Sequence, residues 1–221
     1  MEQIKNKELF TYAETIAAPM LERTEYPWEL LDKIEDYIKE TGPKLDSAIY
    51  EQRGENIWIA KSADIAPTAS IHGPVIIDED AQIRHCAFIR GNVIVGKGAV
   101  VGNSTELKNV ILFNGVQVPH YNYVGDSILG WKSHMGAGSI TSNVKSDKTL
   151  VCIHTKDGSI ETGRKKIGAI LGDCVEIGCG SVLNPGTIIG RESSVYPLSM
   201  VRGVIPSGSI YKNKNEIIER I

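Results

Sequence analysis

The chain has 221 residues, of which 42% are hydrophobic and 23% are charged, so it can bury a sizeable core and does not have the composition of a disordered protein. Its formal net charge of −3 excludes a general attraction to nucleic acid or to an anionic membrane, and an anionic ligand would need a local basic cluster. The sequence has no apolar run of about 18 residues and no apolar leader after Met1. We therefore expect a soluble cytoplasmic protein without nucleic-acid or membrane partners.

The spacing of apolar residues predicts two amphipathic helices in the first part of the chain. The first would cover roughly residues 6–22. The second would begin near Pro27, which suits a first helical position, and would end at Gly42 and Pro43. We expect residues 1–55 to form a two-helix cap that packs against one end of the main domain.

From residue 59 onward, an aliphatic residue recurs at every sixth position. The first run is Ile59, Ile65, Ile71, Ile77, Ile83, Ile89, Val95, Val101 and Leu107, and the second run is Leu171, Ile177, Leu183, Ile189, Val195 and Val201. A period of six does not fit the face of an α-helix and is typical of a parallel β-helix, in which each hexapeptide supplies one short strand and a turn. We predict an all-β domain over residues 56–206, followed by a short helical tail over residues 207–221.

Two stretches interrupt this repeat. The first lies near residues 114–123 and is rich in His, Tyr and Asn, which makes it a candidate active-site insert. The second covers residues 144–166 and contains Asp157-Gly158 between two short apolar segments, a pattern that predicts a β-hairpin arm. A solvated loop is the alternative for this second stretch.

One edge of the predicted β-helix is basic. Residues that are 18 positions apart should stack on neighbouring coils about 4.8 Å apart, which places His72, Arg90 and Lys108 in one column. Two cations at that separation repel each other unless an anion lies between them, so Arg90 and Lys108 form a candidate phosphate clamp. Two solvated surface charges are the alternative interpretation.

Three ordered motifs carry a resemblance to a known family. They are Val101-Gly102-Asn103-Ser104-Thr105-Glu106-Leu107-Lys108, His120-x-x-Tyr123-Val124-Gly125-Asp126 and Gly136-Ala137-Gly138-Ser139-Ile140-Thr141-x-Asn143. With these motifs, residues 57–206 resemble the acetyltransferase domain of the bifunctional glucosamine-1-phosphate acetyltransferase / N-acetylglucosamine-1-phosphate uridyltransferases, including the archaeal sugar-1-phosphate nucleotidylyltransferase type. The sequence has no counterpart of their nucleotidyltransferase half, so we expect no uridyltransferase (UDP-N-acetylglucosamine pyrophosphorylase) activity.

The resemblance implies a left-handed β-helix and a homotrimer with active sites between its subunits. It also implies acetyl transfer from acetyl-CoA to the amine of glucosamine 1-phosphate or galactosamine 1-phosphate, a reaction of nucleotide sugar biosynthesis, without a metal. An amine that attacks a thioester must lose a proton, and a neutral imidazole is well matched to take it. His120 is therefore the predicted general base.

The resemblance also assigns roles to the other site residues. The predicted catalytic residues are His120, Glu106, which would orient the His120 ring, and Asn143. The predicted substrate-binding residues are Arg90, Lys108, Tyr123, His134 and Lys148. Coenzyme A is expected along Gly136, Ala137, Gly138, Cys179 and Pro197, with the Ala137 backbone amide polarising the thioester oxygen. His134 stands where the family usually has Asn before Gly-Ala-Gly, so the substrate can differ from that of the family.

Two other functions share this scaffold. A γ-type carbonic anhydrase would need a His-x4-His pair, and His72, His85, His120, His134 and His154 show no such spacing. A non-catalytic trimeric scaffold or sugar-nucleotide-binding protein would not need His120, Tyr123, Arg90 and Lys108. The sequence therefore favours an acyltransferase over both alternatives.

Overall fold

The computed structural model describes residues 1–220, so Ile221, the last residue of the predicted tail, lies outside the described residues. The α-helices are α1 (Asn6–Leu9), α2 (Ala18–Leu21) and α3 (Ile34–Thr41), and 3₁₀ turns cover Glu2–Ile4, Tyr12–Glu14, Pro27–Leu30 and Gly42–Lys44. The strands are β1 (Tyr50–Gly54), β2 (Ile57–Ala60), β3 (Asp64–Ile65), β4 (Ser70–Ile71), β5 (Val75–Ile77), β6 (Gln82–Ile83), β7 (Phe88–Ile89), β8 (Val93–Val95), β9 (Val100–Asn103), β10 (Glu106–Leu112), β11 (Gln117–His120), β12 (Tyr123–Leu129), β13 (His134–Met135), β14 (Ile140–Thr141), β15 (Cys152–Thr155), β16 (Gly158–Glu161), β17 (Ala169–Leu171), β18 (Glu176–Ile177), β19 (Val182–Leu183), β20 (Thr187–Ile189), β21 (Ser194–Val195), β22 (Met200–Val201), β23 (Val204–Ile205), β24 (Ser209–Asn213) and β25 (Glu216–Glu219). Within residues 1–220, no helix is long and apolar enough to cross a membrane.

Most strands stack as three lateral faces of a parallel β-solenoid. The first face contains β2, β5, β8, β17, β20, β23 and the second halves of β10 and β12. The second contains β3, β6, β9, β11, β13, β18, β21 and β24, and the third contains β4, β7, β14, β19, β22 and the starts of β10 and β12. Val75 pairs with Val93 and Ile83 pairs with Val101, the spacing that the hexapeptide repeat predicts. The predicted fold class, a left-handed parallel β-helix, is confirmed.

The first predicted helix, over residues 6–22, is wrong in its extent. The chain is helical only in short segments there, because Phe10 and Thr15 adopt extended backbone conformations with ψ near 142°. The Phe10 ring packs against Phe113 with 5.0 Å between ring centroids. This contact with the solenoid outweighs the helical periodicity of the segment. The second helix is also shorter than predicted, since its regular part is α3.

The helical part of the N-terminal segment covers a side of the solenoid, whereas β1 covers an end, where it pairs antiparallel with β2. The outward-facing residues of the first face are Ile76, Ile94, Ile111, Ile128, Ile170 and Ile188, and all of them are fully buried. Helix α3 contacts β8 and β10, and the Asn114 amide donates to the Glu14 carbonyl at 3.0 Å. The predicted position at one end therefore holds only for β1, and the helical part shields the apolar side face at β8 and β10.

A buried carboxylate attaches the N-terminal segment to the solenoid. Asp173 is 4% exposed and accepts hydrogen bonds from the Thr11 amide at 2.8 Å, the Trp131 amide at 2.9 Å and Arg191 Nη2 at 2.7 Å. We expect Asp173→Ala to lower the free energy of unfolding by about 3 kcal/mol, because three donors lose their acceptor. Urea denaturation measures the change, with the exposed Asp64→Ala as the control. A value within 0.5 kcal/mol of wild type (about the size of a surface substitution) would contradict this role.

The predicted interruption near residues 114–123 is a shortening of the repeat and not an inserted loop. Leu107 pairs with Ile89, 18 positions before it, whereas Val110 pairs with Val93, 17 positions before it. One residue is therefore missing from the corner at Asn109, whose φ of 56° gives a tight left-handed turn. Strand β11 then pairs with β9 and β13 on its two sides.

The second predicted insert is a β-hairpin as expected, whereas the predicted helical tail is a pair of strands. Strands β15 and β16 pair antiparallel, which confirms the β-hairpin arm within residues 144–166. The helical tail is wrong, because β24 continues the second face beside β21 and then pairs antiparallel with β25. A strand edge at the end of a solenoid leaves backbone N–H and C=O groups without hydrogen bonds. Strand β24 pairs with this edge and β25 pairs with β24, which a helix could not do.

Candidate functional site

A buried carboxylate, Asp126 on β12, lies at the centre of a polar cluster. It is 3% exposed and accepts hydrogen bonds from Asn143 Nδ2 at 2.6 Å and Asn109 Nδ2 at 3.0 Å. Lys108 Nζ lies 3.4 Å from its Oδ1. Asp126 thus joins Asn143 and Lys108, two residues predicted from the motifs. No role was predicted for Asp126 itself, although a charged residue inside an apolar strand was a usable signal.

Tyr123 extends the polar cluster toward the third face. Its Oη accepts a hydrogen bond from Asn143 Nδ2 at 3.3 Å, and Tyr123 pairs with Glu106 across the parallel strands. Burial, followed by the charges of Asp126 and Glu106, raises the pKa of Tyr123. The phenol therefore keeps its proton at neutral pH. Within residues 1–220 that hydrogen has no acceptor, so it is available to a ligand.

Glu106 forms an ion pair with Arg90 and makes no hydrogen bond to the His120 ring within residues 1–220. Its Oε1 lies 2.7 Å from Arg90 Nη1, and the two side chains form an ion pair across neighbouring coils. The guanidinium, being always charged, is a stronger partner for a carboxylate than a neutral imidazole. The predicted phosphate clamp also differs from expectation, because each of its cations already has a carboxylate partner. Arg90 pairs with Glu106, and Lys108 pairs with Asp126.

His120 is held by its backbone, whereas its side chain is exposed. Its amide donates to Asn122 Oδ1 at 3.1 Å, and its carbonyl accepts from the Gly138 amide at 3.0 Å. Asn122 is 2% exposed and also donates to the carbonyls of Gly136 and Ser139 at 2.9 and 3.0 Å. No side chain among residues 1–220 hydrogen-bonds the His120 ring. The ring is therefore free to act on a ligand, and the anchoring role of Asn122 was missed because it depends on contacts with the next coil.

The residues predicted to bind coenzyme A stack along one corner of successive coils. The Gly180 amide donates to the Ala137 carbonyl, and the Leu198 amide donates to the Cys179 carbonyl, both at 2.9 Å. A Cβ atom at Gly136 would lie 2.7 Å from the Cys179 nitrogen, so only glycine allows the coils to stack this closely. The Ala137 amide makes no hydrogen bond within residues 1–220. This corner continues directly from His120 through the Gly138 amide.

Two predicted substrate residues lie apart from the polar cluster. His134 projects from the second face, where its Nδ1 lies 2.8 Å from Glu176 Oε2 beside a cavity of about 590 Å³. Lys148 is exposed in a turn, and its amide donates to the Lys145 carbonyl at 3.1 Å. Neither His134 nor Lys148 forms a hydrogen bond with a residue of the polar cluster within residues 1–220. Residues 1–220 also contain no group of three His, Cys, Asp or Glu side chains suited to a metal ion.

Residues 71–191, more than half of the chain, match the family described as the GMPPB C-terminal domain. The chain belongs to this family. Bifunctional protein GlmU from Methanococcus maripaludis is 32% identical over 195 residues, covering 87% of this chain and 47% of that protein. A bifunctional sugar-1-phosphate nucleotidylyltransferase/acetyltransferase from Sulfurisphaera tokodaii is 29% identical over 204 residues, covering 84% and 47%. The uncharacterized acetyltransferase YaiX from Escherichia coli O6:K15:H31 is 28% identical over 173 residues, covering 78% and 75%.

This member of the GMPPB C-terminal domain family spans about half the length of its bifunctional relatives. The predicted relationship to the acetyltransferase half of such proteins is confirmed. The family match contains every predicted site residue except Pro197, which follows it on the coenzyme A corner. The polar cluster, His120 and most of that corner thus belong to the shared part of the fold.

Proposed function

We propose that this chain is an acetyl-CoA-dependent N-acetyltransferase that acts on an amino sugar 1-phosphate. The observation that carries the proposal is the exposed ring of His120, which has no side-chain partner within residues 1–220 and belongs to a residue whose carbonyl is bonded to the Gly138 amide of the coenzyme A corner. The narrow corner of Gly136 and Ala137 adjoins His120 on the next coil, and the polar cluster around Asp126 lies at the other end of the third face. An acyl-transfer enzyme needs a base between a thioester site and an amine site.

The reaction follows from these groups. The substrate amine attacks the thioester carbonyl, and a C–N bond forms while His120 accepts the amine proton. The free Ala137 amide is suited to stabilise the oxyanion of the tetrahedral intermediate. The C–S bond then breaks, and the leaving thiolate takes up a proton from the imidazolium. The overall products are an N-acetyl sugar phosphate and free coenzyme A.

The polar cluster would hold the sugar phosphate. Tyr123 has a free phenol hydrogen, and Asn143 and Lys108 are held in place by Asp126. We also propose a homotrimer whose sites lie between subunits. This fits the His120 ring, which has no partner among residues 1–220, and would let His134 and Lys148 of a neighbouring subunit reach the site.

The proposal is tested by thiol release from acetyl-CoA in the presence of different acceptors. We expect release with glucosamine 1-phosphate or galactosamine 1-phosphate, and none with N-acetylglucosamine 1-phosphate, which lacks a free amine. The preferred amino sugar identifies the substrate. Absence of release with every amino sugar phosphate would refute the enzyme assignment and favour a non-catalytic trimeric scaffold.

A further inference from the structure

A cavity of about 590 Å³ lies on the second face and shares no lining residue with the polar cluster. Its polar lining contains Gln117, His134 and Glu176, which are neighbours on three successive coils. The other lining residues are Gly98, Gly115, Lys132 and Cys174. We call this cavity the second-face cavity. Its volume falls within the range of small-molecule sites, and its amide, imidazole and carboxylate groups suit a hydroxylated ligand.

His134 and Glu176 form a hydrogen-bonded pair in the lining of this cavity. His134 Nδ1 lies 2.8 Å from Glu176 Oε2. A carboxylate accepts hydrogen bonds and does not donate them, so Nδ1 carries the hydrogen and the Nε2 atom of the neutral ring carries a lone pair. Nε2 has no partner among residues 1–220, and the His134 side chain is 34% exposed. The pair therefore presents a hydrogen-bond acceptor to a ligand in the cavity.

His134 also lies close to the proposed place of acetyl transfer. Ala137, whose free amide is suited to the oxyanion, follows His134 by three residues. On the neighbouring strand β11, His120 follows Gln117 by three residues. A strand advances about 3.3 Å per residue, so three residues cover about 10 Å. A pyranose that places its amine at His120 can therefore reach toward His134 with a hydroxyl group.

We infer that Glu176 is a positioning residue that fixes His134 in the tautomer whose Nε2 accepts a hydrogen bond from a hydroxyl group of the acceptor sugar. The inference rests on the proposed function and adds a determinant of specificity to it. The amine is assigned to His120, so hydroxyl groups are the remaining donors of an amino sugar. Without Glu176, the His134 ring can rotate and can carry its hydrogen on either nitrogen, so the acceptor is no longer held toward the sugar.

Nuclear magnetic resonance of the full chain with ¹⁵N-labelled histidine tests the positioning role. At about pH 8.5, where an ordinary imidazole is neutral, the wild-type signals of His134 should show the hydrogen on Nδ1. In Glu176→Ala, we expect the hydrogen to move to Nε2, the preferred position in a free imidazole. The His134→Asn variant identifies the signals by their absence. Asp64→Asn replaces an exposed carboxylate on β3 of the same face and should leave them unchanged. Wild-type His134 signals in Glu176→Ala would overturn the inference.

Steady-state thiol release tests the contact with the sugar. In Glu176→Ala, the KM for the amino sugar phosphate should rise about fivefold, whereas kcat should stay within about twofold of wild type, because the reacting amine is handled by His120. In the His134→Asn background, Glu176→Ala should have no further effect on KM. A purely structural Glu176 would raise KM equally in both backgrounds, and this result would overturn the inference.

Analogues of the amino sugar phosphate that lack one hydroxyl group each identify the donor. The analogue without the hydroxyl group bonded to His134 should have the same KM in wild type and in Glu176→Ala, because that hydrogen bond is absent from both. A difference retained with every deoxy analogue would overturn the inference. Calorimetric titration with glucosamine 1-phosphate and galactosamine 1-phosphate separates the two proposals. A Kd that rises in Glu176→Ala without thiol release by wild type refutes only the enzyme assignment, whereas thiol release with unchanged KM in Glu176→Ala refutes only the role of Glu176.

Discussion

His120→Ala is expected to lower turnover at least about a hundredfold, because general-base catalysis contributes about that much or more. The free energy of unfolding should stay within about 0.5 kcal/mol of wild type, since the ring is exposed and the fold depends on the backbone bonds of this residue. Steady-state thiol release gives kcat, and urea denaturation of the same samples gives the stability.

The chain offers two histidine controls for this prediction. His154, on the arm, is exposed and bonded to Ser159, so His154→Ala should keep wild-type turnover. His134, predicted to bind substrate and paired with Glu176, is the second histidine to be replaced. A hundredfold loss in His134→Ala together with normal turnover in His120→Ala would transfer the role to His134.

Asp126→Ala is expected to raise the KM for the amino sugar phosphate about tenfold and to lower the free energy of unfolding by about 3 kcal/mol. The variant leaves the buried Asn109 without its acceptor, removes the shorter of the two hydrogen bonds of the half-buried Asn143 and releases Lys108. Asn143 and Lys108 then lose the orientation in which they would meet the substrate. Initial rates at varied substrate concentration and urea denaturation measure the two effects.

The Asp173→Ala variant is the control that separates the effect of Asp126→Ala on KM from its effect on stability. Asp173 is another buried carboxylate with three donors, but it lies at the N-terminal segment, away from the polar cluster. The Asp173→Ala variant should lose a similar amount of its free energy of unfolding and should keep the wild-type KM for the amino sugar phosphate. If Asp126→Ala also keeps the wild-type KM, Asp126 has only a structural role.

The solenoid could be predicted closely from the sequence because each inward position repeats the same local requirement. Ile77 and Val95 occupy equivalent places in successive coils, so one rule applies along the chain. The N-terminal segment and the tail do not repeat. Phe10 is extended because of Phe113, and β24 is a strand because β21 leaves an edge to be paired. Neither cause is visible in the local sequence.

The site was predictable in its residue types but not in its pairings. The motifs pointed to His120, Tyr123 and Asn143, whereas the bond from Asn143 to Asp126 joins residues 17 positions apart across a shortened coil. The ion pair of Glu106 with Arg90 likewise joins residues 16 positions apart on neighbouring coils. Sequence spacing gives the coil on which a side chain lies, but not which of two neighbours it contacts.

The most direct measurement is the fate of the acetyl group when the full chain is incubated with ¹³C-acetyl-CoA and glucosamine 1-phosphate or galactosamine 1-phosphate. Nuclear magnetic resonance of the product should show the labelled carbonyl in an amide bond to the sugar nitrogen, and His120→Ala should form this product at least about a hundredfold more slowly. Label on a hydroxyl oxygen, or acetyl-CoA recovered intact with both sugars, would contradict the proposed N-acetyltransferase.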